Sequence, residues 1–534
     1  MRPSLDSLGT LITPANLLLS LLTIVGLSQL FKILRRRAHT TQLSGPPSPG
    51  WLFGFGRILR AASDSASMYD GWSRAHGYVY ALPAAFGTRR IILMDPKAIT
   101  HFCARDTYGY VQNKLSKLAI QDLVGKGLLW ADGDSHKRQR KTLTPAFSNV
   151  TIRQLTPIFF DAGYKVDPVV SSIEVKAAWD GFIEAGTTGE SVIEVQTWMN
   201  HVSLDSIGLA GFAHDFSTLR GETPTVAAVF DAFGHGVFST LQGILFVLAP
   251  VVPWLMKIPT YRRRMVRKLN RSMGEIADVM LERSRKAGGE KDLERSVIGL
   301  LLRAEGKKEV ITQDEVMAQD TRQPPWALIE LSKNQEIQTK LRDELAQFGA
   351  VDPTWEQLTN GLPYLDAIVH ETLRTHPPVL EVNRVAMEDD VVPLSTPTRA
   401  ADGTMTDRIA IAHGMIVTVP IRAIHLSEDV WGPDAKAFKP ERWIAGDDPA
   451  AARARELAGH RHLLTFFDGP RMCIGKNFAL AEFKAVLSVL VRNFAFELRD
   501  GPDTKIKTKV AILPRPAIEG EEGTKVPLRV RRLA

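Results

Sequence analysis

A cysteine near the C-terminus lies in a run of residue types that could bind a metal. The run reads Phe466-Phe467-Asp468-Gly469-Pro470-Arg471-Met472-Cys473-Ile474-Gly475, with the pattern F-x-x-G-x-R-x-C-x-G. Apolar residues at helical spacing follow from Phe478 to Leu490, so the cysteine is predicted to lie at a helix N-terminus. There the helix dipole and the cations of Arg471 and Lys476 would favour the thiolate of Cys473. A thiolate is a ligand for iron, and it donates electron density to a haem iron.

The other residues of this loop also suit a haem. Gly469 and Gly475 would let the backbone approach a flat macrocycle, where a side chain would collide. Arg471 is long enough to pair with a porphyrin carboxylate. The alternative is a buried free cysteine in a turn before a core helix, which would be the better interpretation of a lone cysteine. The four spaced residues around Cys473 favour the metal-binding interpretation.

The loop resembles the haem-binding loop of the cytochromes P450. The resemblance implies haem b as the cofactor, with Cys473 as its proximal iron ligand. It also implies that Phe466, Arg471 and Gly475 bind the cofactor. The resemblance extends over nearly the whole chain from about Gly45, because further motifs occur in the same order as in P450s.

Several segments are predicted to form the elements that position this loop. Ile91 to Met94 and Met415 to Ile421 are rich in β-branched and apolar residues, which is typical of strands. Thr197 to Phe216 and Leu365 to Thr375 have helical patterns. Ala232 to Leu255 is apolar and broken by prolines, and the resemblance implies that it covers the substrate pocket. Lys257 to Lys286 is predicted to be a basic surface helix.

Composition excludes several classes of protein. The chain has 534 residues, 44% of them hydrophobic, which is enough to build a large core. Its two cysteines, Cys103 and Cys473, rule out a disulfide framework and a cysteine-rich zinc site. The net charge is +7, but no arginine-rich run with interleaved aromatic residues predicts nucleic-acid binding. This charge fits a membrane surface or an acidic protein partner.

The N-terminus is predicted to anchor the protein in a membrane. Ser7 to Phe31 carries no charged residue, and roughly 20 apolar residues suffice to cross a bilayer. The basic residues 35–37 follow, which orients the body of the protein towards the cytosol. We therefore predict an anchor and basic stop at 1–37, a Pro-rich hinge at 38–50 and a catalytic domain at 51–534. A cleaved signal peptide is the alternative. The P450 resemblance implies the endoplasmic reticulum membrane with a single pass.

Three basic residues outside the loop are predicted to neutralise the haem propionates. His136 and Arg140 are four residues apart, so on a helix they share a face. The alternative for this basic run is a solvated surface. In P450s this helix carries a W-x-x-x-R pair that contacts a propionate, and here His136 replaces the tryptophan. Arg384 lies where the family has a second propionate-binding arginine. The resemblance also implies that Val379, Leu380 and Glu381 line the pocket.

Three charged residues are predicted to form a structural network. Glu371 and Arg374 are three residues apart on a predicted helix, which taken alone predicts only a surface ion pair. The segment Phe438-Lys439-Pro440-Glu441-Arg442-Trp443 resembles the P-E-R segment of P450s. The resemblance implies that Arg442 joins Glu371 and Arg374 in a buried network behind the haem.

The sequence departs from the family in its central helix. Thr312-Gln313-Asp314-Glu315 is a capping box, where the long P450 helix above the haem begins. The family's acid–threonine segment, which delivers protons to dioxygen, should follow. Here Asp320 and Thr321 lead instead to Pro324 and Pro325, and roughly three turns of about 3.6 residues are missing before the exit, Trp326 to Leu345. Each proline costs about 3 kcal/mol in a helix interior, so this helix is predicted to be cut or kinked. No catalytic residue is assigned.

Two explanations of the missing turns stay open. Arg322-Gln323-Pro324-Pro325 is a plausible out-of-frame reading of codons for small residues, which would make it an error of gene model or splicing. The other explanation is a real lesion that impairs oxygen activation. Sequencing the transcript across Asp314 to Leu331 separates the two.

The resemblance implies a mainly α-helical fold with a small β-rich lobe and an N-terminal transmembrane anchor. The implied reaction is monooxygenation of a hydrophobic small molecule with NADPH electrons from NADPH–cytochrome P450 reductase. The motifs are similar to those of fungal P450s of secondary metabolism, for which a terpenoid-like substrate is expected. The alternatives are a catalytically impaired membrane haem protein, or an enzyme that rearranges peroxides or epoxides without the acid–threonine pair.

Overall fold

The computed structural model describes residues 14–164, 175–186, 189–212, 214–220, 323–349, 351–444, 449–510 and 514–533, with a few positions between 222 and 274. Most of this part is helical. The helices are α1 Pro14–His39, α2 Gly56–Ala61, α3 Ser65–His76, α4 Pro96–Ala104, α5 Lys114–Val124, α6 Gly133–Leu143, α7 Asn149–Tyr164, α8 Val175–Ala185, α9 Val195–Phe212, α10 Pro324–Lys333, α11 Gln335–Ala346, α12 Pro363–Thr375, α13 Ile421–His425, α14 Glu428–Trp431 and α15 Lys476–Asn493.

The strands form small sheets beside the helices. They are β1 Val79–Pro83, β2 Arg89–Leu93, β3 Tyr110–Val111, β4 Glu190–Glu194, β5 Val382–Ala386, β6 Asp390–Arg399, β7 Met405–Ile411, β8 Ile416–Val419, β9 Phe494–Leu498, β10 Ile506–Val510, β11 Pro514–Ile518 and β12 Pro527–Arg532. The largest sheet has the order β1-β2-β8-β5-β3, in which β2 and β8 are parallel and the other pairs antiparallel. The fold is therefore helix-dominated with a small β lobe, as the sequence predicts.

Helix α15 lies at the centre of the helical part. Nearly all of its side chains from Ala481 to Val491 are buried, and it packs against α7, α11 and α12. A helix that is buried on most of its surface must be apolar on most of its surface, and the sequence of α15 meets this condition. The loop that carries Cys473 enters this helix, so the core fixes the position of the loop.

A buried amide ties the helices to a second sheet. The Gln338 side chain on α11 accepts a hydrogen bond from the Phe496 backbone N–H at 3.0 Å and donates one to the Phe496 carbonyl at 2.9 Å. Phe496 belongs to β9, which pairs with β12, and β12 pairs with β4. This sheet joins the C-terminal end of the chain to the segment before α9.

The segment after α1 packs on the β lobe. Thr41 donates to the Ala410 carbonyl at 3.0 Å, and Ser44 accepts from Ala81 N–H at 2.9 Å. Leu43 is buried between them. Residues 40–44, within the predicted hinge, are thus docked on the catalytic domain.

Helix α1 covers most of the predicted anchor. Across the described residues, the search for a helix with the length and apolarity to span a bilayer finds none. Residues 1–13 lie outside the described part. The anchor therefore stays a prediction.

Several predicted elements correspond to observed ones. The strand predictions fall on β2 and β8, and the helix predictions fall on α9, α12 and α15. Two predictions, Ala232 to Leu255 and the capping box at 312–315, lie outside the described residues. The predicted basic helix at 257–286 also does, apart from a few described positions near Val266, most of which are helical.

Candidate active site

The loop before α15 is a tight turn that aims Cys473 into a cavity. The Cys473 N–H donates to the Phe466 carbonyl at 2.8 Å, which closes the loop on itself. Phe467 and Gly469 have left-handed backbone angles, with φ of 56° and 66°. The half-buried Cys473 lines a cavity of about 490 Å³ together with Phe466 and Gly475.

Gly469 is needed for a close backbone contact. A Cβ atom at this position would lie 2.3 Å from the Cys103 carbonyl oxygen, at the end of α4. The glycine is therefore required by the approach of the loop to α4, and its role in making room for a macrocycle stays a prediction. Gly475, by contrast, lines the cavity and directs its N–H to the Cys473 thiol.

We expect Gly469→Ala to destabilise the loop. The substitution combines a left-handed backbone angle with a backbone collision, so we expect a loss of about 3 kcal/mol or more of the free energy of unfolding. Gly501→Ala is the matched control, because Gly501 has a φ of 90° with open space around its Cβ position. Urea unfolding gives the loss of unfolding free energy in each variant. Gly501→Ala reports backbone strain alone, and Gly469→Ala reports strain plus the collision. Equal losses would contradict the collision.

The electrostatics of Cys473 also differ from the prediction. Burial raises the pKa of the thiol, and the Gly475 N–H, Arg140 and Lys476 offset only part of this effect. Arg471 was predicted to stabilise the thiolate, but its guanidinium pairs with Asp132 and Asp106 instead. A metal ion would have to displace the thiol proton, since a coordinating thiol is deprotonated by its metal.

The four basic residues predicted from the sequence line the same cavity. They are His136, Arg140, Arg384 and Arg471. Arg140 donates to the Met472 carbonyl at 2.7 Å, which places this cation beside the cysteine. Arg384 lies 3.1 Å from an oxygen of the buried Asp106, and Arg471 lies 3.3 Å from the same oxygen. Helix α6, the loop before α15 and strand β5 thus bring their cations together on one wall.

His136 is buried in this group of cations. Burial is the main reason that its pKa falls to about 4, and Arg471 and Arg140 lower it further. The imidazole is therefore neutral at pH 7, and it can donate one hydrogen bond and accept another. This agrees with the donor role that the sequence predicts, but His136 adds no positive charge.

The remaining walls of the cavity are mostly apolar. They include Ile120, Leu128, Leu480 and Phe483, and Val379 and Glu381 line it as predicted. Leu380 faces a smaller neighbouring cavity.

Glu381 is held by polar partners on its other side. Its carboxylate accepts from the Tyr69 hydroxyl at 2.5 Å and pairs with Arg90 at 3.3 Å. Burial opposes ionisation, but Arg90 and the hydrogen bonds together lower its pKa. The carboxylate is therefore ionised and already engaged within the wall.

The three predicted network residues meet behind the loop. Arg374 and Glu371 are fully buried and form a bidentate pair with distances of 2.8 and 2.7 Å. Arg442 lies 3.5 Å from the same carboxylate, and Trp443 donates to it at 3.0 Å. Arg374 also donates to the carbonyls of residues 425, 435 and 437. The network joins α12 to the segment that leads towards the cysteine loop.

The helix opposite the cysteine begins at the paired prolines. Pro324 and Pro325 occupy the first turn of α10, where a missing N–H costs nothing. The described helix therefore begins at Pro324, which agrees with the predicted cut. Asp320 and Thr321 lie outside the described residues. Within the described residues, Gln323 is the polar side chain that this helix start adds to the cavity.

Comparison with known proteins decides the family. The Cytochrome P450 family model matches residues 45–519. Cytochrome P450 monooxygenase claQ of Ampulloclitocybe clavipes is 50% identical over 526 residues, which is 95% of this chain and 96% of the relative. Cytochrome P450 monooxygenase 128 of Postia placenta is 31% identical over 522 residues, which is 92% of each. The chain belongs to the cytochrome P450 family.

One P450 relative is longer than this chain where the two are aligned. Cytochrome P450 monooxygenase claP of Ampulloclitocybe clavipes is 49% identical over 547 aligned positions that cover 99% of both proteins. This chain has 534 residues, so at least 13 positions of the relative have no counterpart here. The difference is similar in size to the roughly three turns that the sequence predicts to be missing from the central helix.

The residues present fit the haem that the family binds. The cavity is lined by the Cys473 thiol, and the Gly475 N–H stabilises negative charge on its sulfur. Three guanidinium groups and one neutral imidazole line the same cavity. The Arg471 Nε lies 3.3 Å from Asp106 but makes no hydrogen bond among the described residues. Cys473 would hold the iron, and Arg140, Arg384, Arg471 and His136 would hold the propionates. When bound, a haem iron with an axial thiolate supplies the chemistry of O–O bond cleavage.

Sequence reasoning missed the acidic partners of these cations. Asp106 is fully buried and contacts both Arg384 and Arg471, while Asp132 pairs with Arg471 and Lys117. A single aspartate in a loop carries no periodic signal, so Asp106 could not be found. Asp132 could have been suspected, because it immediately precedes α6 and lies four residues before His136.

Proposed function

We propose that this P450 is a haem-thiolate monooxygenase that inserts oxygen into a hydrophobic small molecule. The observation that carries the proposal is the inward-facing Cys473, with three arginines and an apolar wall around one cavity. Its relatives claQ and claP are both named cytochrome P450 monooxygenases. The chain's own residues bind and orient the cofactor and the substrate, and the apolar wall excludes water.

The exposed face of α6 supports an acidic electron-transfer partner. Lys137, Arg138 and Lys141 are exposed on this helix, while His136 on its inner face is buried. We propose NADPH–cytochrome P450 reductase as this partner. Attraction between opposite charges speeds the encounter of such partners. We also propose that the N-terminal segment anchors the enzyme in the endoplasmic reticulum membrane with the catalytic domain in the cytosol.

The substrate class is proposed from the cavity and the relatives. The predominantly apolar lining favours an apolar molecule, and relatives in two fungi suggest secondary metabolism. A terpenoid-like substrate follows from this analogy.

The test uses the full chain in yeast microsomes that contain NADPH–cytochrome P450 reductase. We expect a reduced-CO absorbance band at about 450 nm, and NADPH oxidation that rises when a terpenoid substrate is added. Microsomes from cells with empty vector are the control. A band at about 420 nm alone would contradict intact thiolate ligation.

A second candidate function follows from the turns that the sequence predicts to be missing from the central helix. We propose as the alternative a haem protein with impaired monooxygenase activity, because at least one relative has 13 or more residues that this chain lacks. This protein would show the band at about 450 nm, but its NADPH oxidation would not respond to any substrate. A transcript that encodes additional residues between Asp314 and Leu331 would instead assign the gap to the gene model.

A further inference from the structure

A second, smaller cavity lies beside the one that Cys473 faces. Gln323 and Pro378 line both cavities, so the two share a wall. The smaller one has a volume of about 10 Å³, which is room for a single oxygen atom with its hydrogens. We call its polar corner, formed by Gln323, His376 and Arg422, the polar subsite.

All three side chains of the polar subsite carry an atom without a hydrogen-bond partner among the described residues. These atoms are Gln323 Oε1, His376 Nδ1 and Arg422 Nε. Gln323 is only 6% exposed. Buried polar atoms in folded proteins nearly always have a partner, and each orphan costs about 1–3 kcal/mol. Three such atoms on side chains that line one oxygen-sized cavity indicate a ligand group that the described residues do not supply.

The orientation of His376 is fixed by two neighbours. Its ring stacks on Trp326 with a centroid distance of 4.0 Å, and its Nε2 lies 3.0 Å from the Glu330 carboxylate. A carboxylate accepts only, so Nε2 carries the proton and Nδ1 of the neutral ring is an acceptor. Burial lowers the pKa of His376 although Glu330 opposes this, which keeps the ring neutral.

The three orphan atoms of the polar subsite therefore offer one cationic donor and two acceptors, and Thr508 also lines this cavity. Arg422 donates from Nε, whereas His376 Nδ1 and Gln323 Oε1 accept. A carboxylate would place its negative charge against both acceptors, and a ketone or an ether oxygen can only accept. A hydroxyl group accepts from Arg422 and donates to either His376 or Gln323, so of these groups it satisfies the most orphan atoms, two of the three. Among the described carboxylates, Asp64 attracts the Arg422 guanidinium, but burial outweighs this attraction and lowers its pKa.

We propose that the polar subsite binds an alcohol group of the substrate. The proposal rests on the proposed function, because the alcohol must reach the subsite from the haem cavity. Gln323 and Pro378 line both cavities, so the subsite adjoins the larger one, which the apolar body of the substrate would share with the haem. The substrate is then an apolar molecule that already carries a hydroxyl group, so a hydroxylation or the hydration of a carbocation must precede this step.

The test is a binding titration in which the haem absorbance is monitored. It uses two matched pairs of probes. These are farnesol with farnesyl methyl ether, and dodecan-1-ol with its methyl ether. Each ether keeps the oxygen and loses the donated hydrogen. We expect at least one alcohol to bind about tenfold more tightly than its ether, because a site built for a hydroxyl group rejects analogues that lack the proton.

Substitutions test whether the preference for alcohols over ethers arises in the polar subsite. Gln323→Met and Arg422→Met preserve side-chain size and remove one polar partner each, and we expect the alcohol-to-ether ratio to fall to about threefold or less. Arg422→Lys keeps a donor and should retain part of the preference. Gln347→Met, at an exposed glutamine outside the cavity, should leave the ratio unchanged.

The outcomes separate this proposal from the proposed function. A wild type without the reduced-CO band at about 450 nm overturns the proposed function, and the subsite proposal falls with it. A wild type with the band but with equal affinity for all alcohols and ethers overturns the subsite alone, and assigns the cavity to an ordered water. A preference that survives in both methionine variants places alcohol recognition elsewhere, which also overturns it.

Discussion

Cys473→Ser will abolish the reduced-CO absorbance band at about 450 nm and reduce monooxygenase turnover to below about 1% of wild type. Among the described residues that line the cavity, Cys473 is the one whose side chain can ionise to a soft ligand for iron. A serine hydroxyl has a far higher pKa and does not replace a thiolate as an electron-donating ligand. The measurement is the reduced-CO difference spectrum of microsomes at equal protein content.

The other cysteine of the chain provides a matched control. Cys103 is fully buried at the end of α4, and burial raises the pKa of its thiol. Cys103→Ser makes the same chemical change away from the cavity, so the band at about 450 nm should persist. An unchanged band in Cys473→Ser would refute thiolate ligation at this position, and loss of the band in both variants would indicate a general folding defect.

Glu371→Ala will destabilise the fold by about 3–5 kcal/mol, because it leaves a buried guanidinium without its counter-ion. Arg374 is fully buried, and the carbonyls that remain as its partners do not neutralise its charge. The substitution also removes the acceptor of the Trp443 indole N–H and of the Lys439 backbone N–H. Urea unfolding and the yield of folded protein from equal cell mass measure the effect.

A surface ion pair on a neighbouring helix is the control for this prediction. Glu336 and Lys340 lie 2.8 Å apart on α11, and the Glu336 side chain is 81% exposed. Glu336→Ala should change the free energy of unfolding by less than about 1 kcal/mol, since exposed pairs contribute little. Similar losses of unfolding free energy in Glu336→Ala and Glu371→Ala would show that burial does not increase the contribution of the network to stability.

Motifs with fixed spacing could be read from the sequence, because neighbours along the chain must be neighbours in space. The loop around Cys473 and the helical pair Glu371 and Arg374 belong to this class. Arg442 could be added only through the resemblance to P450s, since it lies far from both in sequence. The structure brings all three charged residues together in one buried network.

Contacts between distant segments could not be read in this way. Asp106 accepts two arginines that lie hundreds of positions later, and Gln338 bonds both backbone groups of Phe496. Neither contact leaves a periodic signal in the chain. The sequence also reveals the cations near Cys473 but not the depth of burial that raises the pKa of its thiol in the protein without a metal.

The two imino acids that open α10 constrain how the gene could be repaired. A proline nitrogen has no hydrogen to give to the preceding turn, and its ring collides with the carbonyl four residues earlier. Additional residues upstream of Gln323 would therefore not produce a continuous helix over the cavity as long as Pro324 and Pro325 are present. An authentic longer transcript must replace those two codons as well as supply new ones, which distinguishes a shifted reading frame from a simple in-frame deletion.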